Sequence, residues 1–230
     1  MSDAEPSAEV QDFKIWDLSI RVFHWSLAVL IFLLWQTGES GSLDTHRKLG
    51  VAVLALLVYR LYWGFFGPKT ARFTAYPITP RQVFTYLPKL FKKPYKATVG
   101  HSPLASLSVL AIFAILGFQV ATGLFAIDTD GLFSGYFAHL VRFDTARLLA
   151  NLHVDSFDII SALVLLHLFA ISYYLFALAT DLVTAMITGK RDVDAAMASK
   201  HSPATVRVLH LCIALGLATV AGAIVLYFGR

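Results

Sequence analysis

Charged residues and cysteine are both scarce in this sequence. Only 15% of the 230 residues are charged whereas 57% are hydrophobic, a balance that is too apolar for a soluble domain of this length and indicates several membrane spans. The single cysteine, Cys212, excludes an intrachain disulfide, an iron–sulfur centre with four thiolate ligands and a C-x-x-C-H attachment site for a c-type haem. Any haem in this chain must therefore be bound non-covalently.

Basic residues are absent from the first twelve positions. Met1 to Asp12 contains acidic and polar residues but no Lys or Arg, so it lacks the basic region with which a secretory signal peptide begins. We expect residues 1–12 to form a short disordered tail.

Five apolar segments are long enough to cross a bilayer. A hydrocarbon core of about 30 Å requires roughly 20 helical residues, and such segments occur at about 16–36, 49–66, 104–127, 153–179 and 206–228. Asp155 and Asp158 lie in the first turns of the fourth segment, so we expect its lipid-embedded part to start nearer Ile159. The predicted fold class is all-α: an integral membrane helical bundle of five spans without a soluble domain.

The basic residues between the spans are distributed unequally. By the positive-inside rule, the more basic connection, 67–100, is cytoplasmic. The N-terminus and the segment around Lys190 and Arg191 then also face the cytoplasm, while Arg230 and the loops 37–48 and 128–152 face the periplasm of a bacterial inner membrane. The cations of connection 67–100 are Lys69, Arg72, Arg81, Lys89, Lys92, Lys93 and Lys96, and those of the opposite loops are Arg47, Lys48, Arg142 and Arg147.

Connection 67–100 is also rich in proline, with aromatic and basic residues in between. This pattern favours a segment that lies on the membrane surface over one that spans it. We interpret its lysines as setting the topology and contacting anionic lipid headgroups, in preference to forming a specific partner site. Loop 128–152 carries aromatic residues among polar ones and is either a docking surface or an interfacial half-helix lying on lipid. The prolines are Pro77, Pro80, Pro88 and Pro94.

Four histidines lie within the predicted spans or at their ends. Ionisable residues inside a membrane span are costly and usually functional. His24 lies about two turns into the first span, and His46 lies just before the second. His153 opens the fourth span and His167 follows 14 residues later. At about 1.5 Å rise and 3.6 residues per turn, this spacing puts both on one helix face, about 21 Å apart.

Depth in the membrane pairs these histidines. His24 and His167 both lie toward the cytoplasmic half, and His46 and His153 both lie toward the periplasmic boundary. Two neutral imidazoles facing each other suit the two axial positions of a haem iron, so the pattern predicts two non-covalent b-type haems, each six-coordinate and low-spin. The alternative for any single histidine is a hydrogen bond to a neighbouring helix.

The other histidines fit different roles. His139 and His201 are predicted to be solvated, and His210, in the fifth span, is predicted to be structural. His101, at the entrance of the third span, is a candidate to contact a haem edge, to bind a quinone head or to cap the helix.

Cations near each predicted level are candidates for contact with haem propionates, which need cationic or hydrogen-bonding partners. Arg21 and Arg60 are available at the cytoplasmic level, and Arg47 and Lys48 at the periplasmic one. Each could equally anchor the helix at the interface. The span glycines either admit a flat macrocycle or pack helices together. They are Gly38, Gly50, Gly117 and Gly123.

The ordered series of residues from about 13 to 191 resembles the bacterial cytochrome b561 and nickel–iron hydrogenase b-type cytochrome subunits. Ser102 departs slightly from the family, which often has Asn after the Gly-His of the third span. The series comprises Trp16-Asp17, Arg21, His24-Trp25, Thr37-Gly38, His46-Arg47-Lys48-Leu49-Gly50, Arg60-Leu61-Tyr62-Trp63-Gly64, Ala71-Arg72-Phe73, Gly100-His101-Ser102-Pro103-Leu104, Thr122-Gly123-Leu124-Phe125, His153, His167 and Met186-Ile187-Thr188-Gly189-Lys190.

This resemblance implies a four-helix di-haem core over 13–191 with His24, His46, His153 and His167 as ligands, in agreement with the pairing by depth. Residues 192–230 then form a linker and an additional span to which the resemblance gives no role. Family members pass electrons between a periplasmic redox partner, such as a hydrogenase or a multihaem cytochrome c, and the quinone pool. The expected partners are membrane lipid, such a redox protein and quinone, with no nucleic acid.

Two other functions compete with that of an electron-transfer subunit. Some relatives act alone as a quinone-reducing superoxide oxidase, which would need a funnel of positive charge at the periplasmic face. The cations Arg47, Lys48, Arg142 and Arg147 are offset there by nearby aspartates, so we prefer the subunit. The second competitor is a haem-free membrane carrier or assembly module, in which the histidines serve packing or proton relay.

Overall fold

The structure is a computed structural model that describes residues 10–92, 95, 98–128, 130–199 and 202–229. Residues 1–9, Lys93, Pro94, Lys96, His201 and Arg230, all of which carry predictions, lie outside the described residues. The elements in chain order are β1 (Val10–Lys14), α1 (Leu18–Glu39), α2 (Leu43–Phe66), α3 (Pro80–Tyr86), α4 (Pro103–Phe125), α5 (Phe143–Phe176), α6 (Val183–Thr188), β2 (Lys190–Asp194), α7 (Ala195–Ala198) and α8 (Val208–Phe228), with four short 3-10 turns between them.

Five of these helices, α1, α2, α4, α5 and α8, are long and apolar enough to cross a membrane. The all-α membrane bundle predicted from the sequence is confirmed. One boundary differs markedly: α5 begins at Phe143 and has 34 residues, whereas the apolar segment begins at 153. At about 1.5 Å per residue α5 is roughly 51 Å long, so about 20 Å of it extends beyond a hydrocarbon core of about 30 Å.

The helices form a four-helix core with α8 outside it. Helix α1 packs on α2, α4 packs on α5, and α2 packs on α4. Between the helices lies a cluster of buried side chains contributed by α2, α4 and α5, which is the apolar core of the bundle. It contains Val53, Leu57, Leu116 and Ile160.

Helix α8 packs along α2 through small residues. Ala214, Ala218 and Gly222 recur every fourth position and are buried, which lets the two backbones approach closely. A Cβ atom at Gly222 would lie 3.5 Å from the Val51 side chain. Near the start of α8, His210 Nδ1 shares a 2.8 Å hydrogen bond with the Tyr62 hydroxyl, which agrees with the structural role predicted for this histidine.

A two-stranded antiparallel sheet pairs the segment before α1 with the segment after α6, at one end of the bundle. Strand β1 pairs with β2 so that Phe13 lies opposite Arg191, and both Phe13 and Val193 are buried in an apolar cluster. Residues 10–12, predicted as the end of a disordered tail, instead form part of β1. We call this end of the bundle the sheet end. Because four spans separate the strands, the N-terminal segment and the segment around Lys190 lie on the same side.

A buried aspartate fixes the start of α1. The Asp17 carboxylate accepts hydrogen bonds from the Ile20 amide at 3.1 Å and from the Trp63 indole at 3.3 Å, and it is 1% exposed. The first bond caps the N-terminus of α1, and the second ties it to the last turn of α2. The sheet end of the bundle is therefore held by both the strands and this carboxylate.

Candidate functional site

The first histidine pair joins α2 to α5 at the end of the bundle opposite the sheet. His46 lies in the first turns of α2, and His153 lies in the third turn of α5, so both are inside helices and neither is at a boundary as predicted. The two imidazole ring centres are 6.0 Å apart and the rings are nearly perpendicular, at 79°.

The second pair joins α1 to α5 nearer the sheet end. The ring centres of His24 and His167 are 6.3 Å apart, with an interplanar angle of 52°. His153 and His167 belong to the same unbroken helix, so the two pairs form two levels about 21 Å apart along the axis of α5. The structure thus brings together the same pairs that membrane depth predicts.

The spacing within each pair fits an iron ion between two imidazoles. A metal–nitrogen bond of about 2 Å, with the ring centre about 1.1 Å beyond the nitrogen, gives ring centres about 6.2 Å apart. The observed 6.0 and 6.3 Å lie on either side of this value. Within the described residues, no group of three or more His, Cys, Asp or Glu side chains could hold a metal ion. Each pair therefore offers two protein ligands, the number that a haem iron takes at its axial positions.

Hydrogen bonds orient the rings of the His46–His153 pair. His46 Nδ1 donates to the Leu34 carbonyl at 2.9 Å, and His153 Nδ1 donates to the Gln119 carbonyl at 2.9 Å. These bonds fix the tautomer and leave each Nε2 with a lone pair for a metal. The Gln119 side-chain amide lies 3.2 Å from His153 Nε2, so it would have to turn away for this nitrogen to bind a metal.

The surroundings of the histidine rings differ between the two levels. His24 Nδ1 is shielded from solvent and has no hydrogen-bond partner. Among the residues that the structure describes, no hydrogen bond involves the His167 ring either. The pair nearer the sheet end is thus positioned by packing, whereas the other pair is positioned by backbone carbonyls.

Two of the four span glycines lie against the rings of His46 and His153. A Cβ atom at Gly123 would lie 2.7 Å from His153 Cε1, and one at Gly38 would lie 3.5 Å from His46 Nδ1. Gly123 therefore makes room for an imidazole of α5, which is a form of the helix packing predicted for it. Gly50 and Gly117 have no protein atom within 4 Å of the position of an added Cβ.

A cavity of about 480 Å³ opens around the His46–His153 pair. Its walls come from α1, α2, α4 and α5 and are mostly apolar, with Gln119, Arg47 and the two histidines among the polar groups. This volume lies within the range of roughly 300–1,000 Å³ for cofactor pockets. The cavity is therefore large and apolar enough for a flat macrocycle.

Arg47 reaches this cavity, whereas Lys48 does not line it. The Arg47 guanidinium donates to the Ser134 carbonyl at 3.1 Å, lies 4.6 Å from the centre of the Tyr136 ring, and retains a buried Nε without a partner. Lys48 instead forms an exposed 2.6 Å ion pair with Asp44. Of the two predicted propionate contacts at this level, only Arg47 is placed beside the cavity.

Two arginines near the sheet end carry unsatisfied donors. Arg60 is 4% exposed, and its Nη2 donates to the Ala71 carbonyl and the Tyr76 hydroxyl, both at 3.0 Å, while Nη1 has no partner. Arg21 donates from Nη1 to the Ile187 carbonyl, and its Nε has no partner. Buried donors without acceptors are costly, so their presence indicates an anionic or polar group that completes the site.

His101 lies between two aromatic rings next to Arg60. Its ring centre is 4.8 Å from the centres of both Trp16 and Tyr76, and its Nδ1 is shielded and unpartnered. Burial lowers the pKa of His101 to about 3, so the imidazole is neutral at pH 7. The capping role falls to Ser102, whose hydroxyl accepts from the Ala105 amide at 3.3 Å, so His101 Nδ1 is available to a ligand.

Gln119 is a site residue that the sequence reasoning missed. Besides its two contacts with His153, its side-chain carbonyl accepts a hydrogen bond from the Ser156 hydroxyl. The available signal was a lone amide in the apolar segment of α4, one turn before Gly123. Polar side chains inside spans mark functional positions.

Comparison with known families gives one match. The model of the family described as prokaryotic cytochrome b561 matches residues 15–189. This range includes all four histidines but neither strand and not α8. Comparison with curated proteins and with solved structures found no match. The match covers most of the chain, and the histidine pairs have the spacing that haem iron requires. The chain belongs to the prokaryotic cytochrome b561 family and is a multi-pass membrane cytochrome that binds b-type haem and transfers electrons.

Proposed function

We propose that this cytochrome holds two b-type haems and carries electrons between a periplasmic redox protein, of the hydrogenase or multihaem cytochrome c type, and the membrane quinone pool. The observation that carries the proposal is the presence of two histidine pairs, with ring centres 6.0 and 6.3 Å apart, at two levels of one helix. Each bound haem would supply an iron that exchanges one electron at a time.

The chain's own residues hold the electron carriers and exclude other chemistry. Two imidazoles at each level would hold a haem iron from the protein side and would leave it no free position for oxygen. His24 and His167 serve the level near the sheet end, and His46 and His153 serve the opposite level. Because α5 supplies one ligand to each level, a single rigid helix sets the separation of the two carriers.

The buried arginine N–H groups that have no acceptor are proposed to bind the haem propionates. Arg47 is proposed to bind them at the His46–His153 level through Nε, and Arg21 and Arg60 are proposed to bind them at the other level through Nε and Nη1. His101 is neutral and contacts the same Tyr76 as Arg60, which suits a hydrogen bond to a propionate or to a quinone head. Lys48 is proposed only as an interfacial anchor, because it does not line the cavity.

The orientation proposed is that of a bacterial inner-membrane protein with the sheet end in the cytoplasm. The seven cations of connection 67–100 support it. On the opposite side, the loop after α4 and the protruding turns of α5 present exposed apolar side chains, which support docking of a periplasmic redox protein. They are Leu132, Phe133, Leu140, Phe143 and Leu148.

Ion pairs disfavour the superoxide oxidase alternative. Steering a small anion needs unpaired positive charge, yet Arg47 and Lys48 both pair with Asp44, and Arg142 lies 3.8 Å from Asp144. The funnel face has no net positive charge, because its aspartates outnumber its four cations Arg47, Lys48, Arg142 and Arg147; the aspartates are Asp44, Asp128, Asp130, Asp144 and Asp155. The haem-free carrier is disfavoured by membership of a haem-binding family.

The test is haem counting in single-ligand variants of the purified protein. A pyridine haemochrome assay should give about two b haems per chain for the wild type, and about one for each of His153→Ala and His167→Ala. His210→Ala is the matched control, because this histidine lies in a span but pairs with Tyr62, and it should retain both haems. One haem in the wild type, or two in either ligand variant, would contradict the assignment.

Quinone is tested separately with the same proteins. Added quinol should reduce both haems of the wild type, as followed by the reduced-minus-oxidised spectrum. The quinone site is proposed to lie at the sheet end, beside the His24–His167 level. His167→Ala, which lacks the carrier there, should therefore leave the remaining haem oxidised. Full reduction of that haem by quinol would contradict the proposed place of quinone while leaving the two-haem assignment intact.

A further inference from the structure

The segment from Pro80 to Lys92 lies at the sheet end and is fixed to the last turns of α5. The Tyr86 hydroxyl shares hydrogen bonds with those of Tyr174 and Tyr95, at 2.6 and 2.5 Å, and the Tyr173 hydroxyl donates to the Leu90 carbonyl at 3.0 Å. Tyr86 is 4% exposed. The segment, which comprises α3 and the 3-10 turn Leu87–Phe91, is therefore held at the end of a membrane-spanning helix.

A second face of this segment is apolar and uncovered. Phe84 is 71% exposed, Leu87 37% and Phe91 80%. With Pro88, they occupy positions i, i+3, i+4 and i+7, which form one stripe along a helical rod. Large aromatic side chains on such a stripe indicate contact with an apolar phase.

A third face is cationic and has no internal counter-ion. Arg81, Lys89 and Lys92 are exposed, and residues 67–100 contain no Asp or Glu. Among the ion pairs of the described residues, none involves these three side chains. Their negative partners must therefore come from outside the chain.

We propose that Pro80–Lys92 lies in the plane of the bilayer surface, with the stripe of Phe84, Leu87, Pro88 and Phe91 in the acyl region and Arg81, Lys89 and Lys92 bound to anionic phospholipid headgroups. A lipid supplies both an apolar phase and phosphate groups next to each other, which matches the adjacent apolar and cationic faces. The tyrosine contacts with the end of α5 put the segment at the depth where headgroups lie. An acidic protein would satisfy the cations but would not require two exposed phenylalanines beside a membrane span.

Spin labelling of the full-length haem-loaded protein in vesicles tests the apolar part. In a Cys212→Ser background, nitroxides at Phe84→Cys and Phe91→Cys should be accessible to lipid-soluble oxygen and shielded from a water-soluble nickel complex. Thr85→Cys is the matched control, because Thr85 is exposed next to the stripe, and it should show the opposite preference. Equal accessibility to the nickel complex at all three positions would overturn the proposal, as would exclusion of both reagents at Phe84 and Phe91.

Lipid selectivity tests the cationic part. The wild type in phosphatidylcholine vesicles should prefer spin-labelled phosphatidylglycerol over spin-labelled phosphatidylcholine, and the preference should weaken as salt is added. Since each cation near an anionic surface strengthens association about five-fold, the triple variant Arg81→Gln, Lys89→Gln, Lys92→Gln should lose up to about 100-fold of it. An unchanged preference in the triple variant would overturn the assignment of these cations, and its haem spectrum shows whether the fold is intact.

Discussion

The replacement of Gly123 by alanine should remove one haem and leave the other in place. An added Cβ would lie 2.7 Å from His153 Cε1, so the ring must move by about 0.7 Å to reach an ordinary contact distance of 3.4 Å. This movement also disturbs the 2.9 Å hydrogen bond from His153 Nδ1 to the Gln119 carbonyl. Such overpacking costs about 1–3 kcal/mol, which corresponds to roughly 5- to 150-fold weaker haem binding at the His46–His153 level.

The measurement is haem stoichiometry after purification and during titration of haem into depleted protein. Gly123→Ala should fall from about two haems toward one, while the His24–His167 site keeps its affinity. Gly38→Ala is the closest control, because its Cβ would lie at an ordinary 3.5 Å from the opposite ligand ring, and Gly117→Ala, with no neighbour within 4 Å, controls for adding a methyl group to α4. Two tightly bound haems in Gly123→Ala, or loss of haem in both controls, would show that Gly123 does not make room for His153.

Two further predictions concern stability. Burial lowers the pKa of His101 from 6.5 to about 3, so the unfolded chain binds more protons between these values and stability falls as the pH drops below 6.5. At pH 5 the loss is about 2 kcal/mol, and thermal unfolding at pH 7 and pH 5 should show a smaller difference in His101→Gln than in the wild type. Gly222→Leu should lower the unfolding temperature by forcing α8 away from Val51 on α2, whereas Gly216→Leu, which has no neighbour within 4 Å, should not; equal effects would contradict the packing described for α8.

Sequence reasoning predicted the spans because a bilayer imposes length and apolarity directly on the chain. The five spans and the family are confirmed, because both depend on local features: apolar runs and the fixed spacing of motif residues. The pairing of His24 with His167 and of His46 with His153 could also be predicted. Each histidine has a known depth in the membrane from its position along a span, and few other histidines lie at the same depth.

The features that could not be predicted are helical turns that carry polar residues and contacts between residues far apart in the sequence. Helix α5 begins ten residues earlier than its apolar run, because Asp144 and Arg147 interrupt the hydropathy signal without interrupting the helix. Strand β1 was missed because its partner lies at the other end of the core, and a five-residue strand has little signal of its own. The contact of Gly123 with the His153 ring depends on how α4 is rotated about its axis relative to α5. The hydrophobic periodicity of the sequence does not determine this rotation.

The pairing of β1 with β2 has a consequence for how the chain is made. The Lys190 ammonium donates a hydrogen bond to the Asp12 carboxylate, 178 residues away in the chain. Because β1 is synthesised before the four spans and β2 after them, the backbone groups of β1 have no strand partner until β2 has been made. Contacts of such long sequence separation form late. Closure of the sheet therefore requires all four spans of the core to be in the membrane, whereas α8, which follows β2 in the chain, is not required for it.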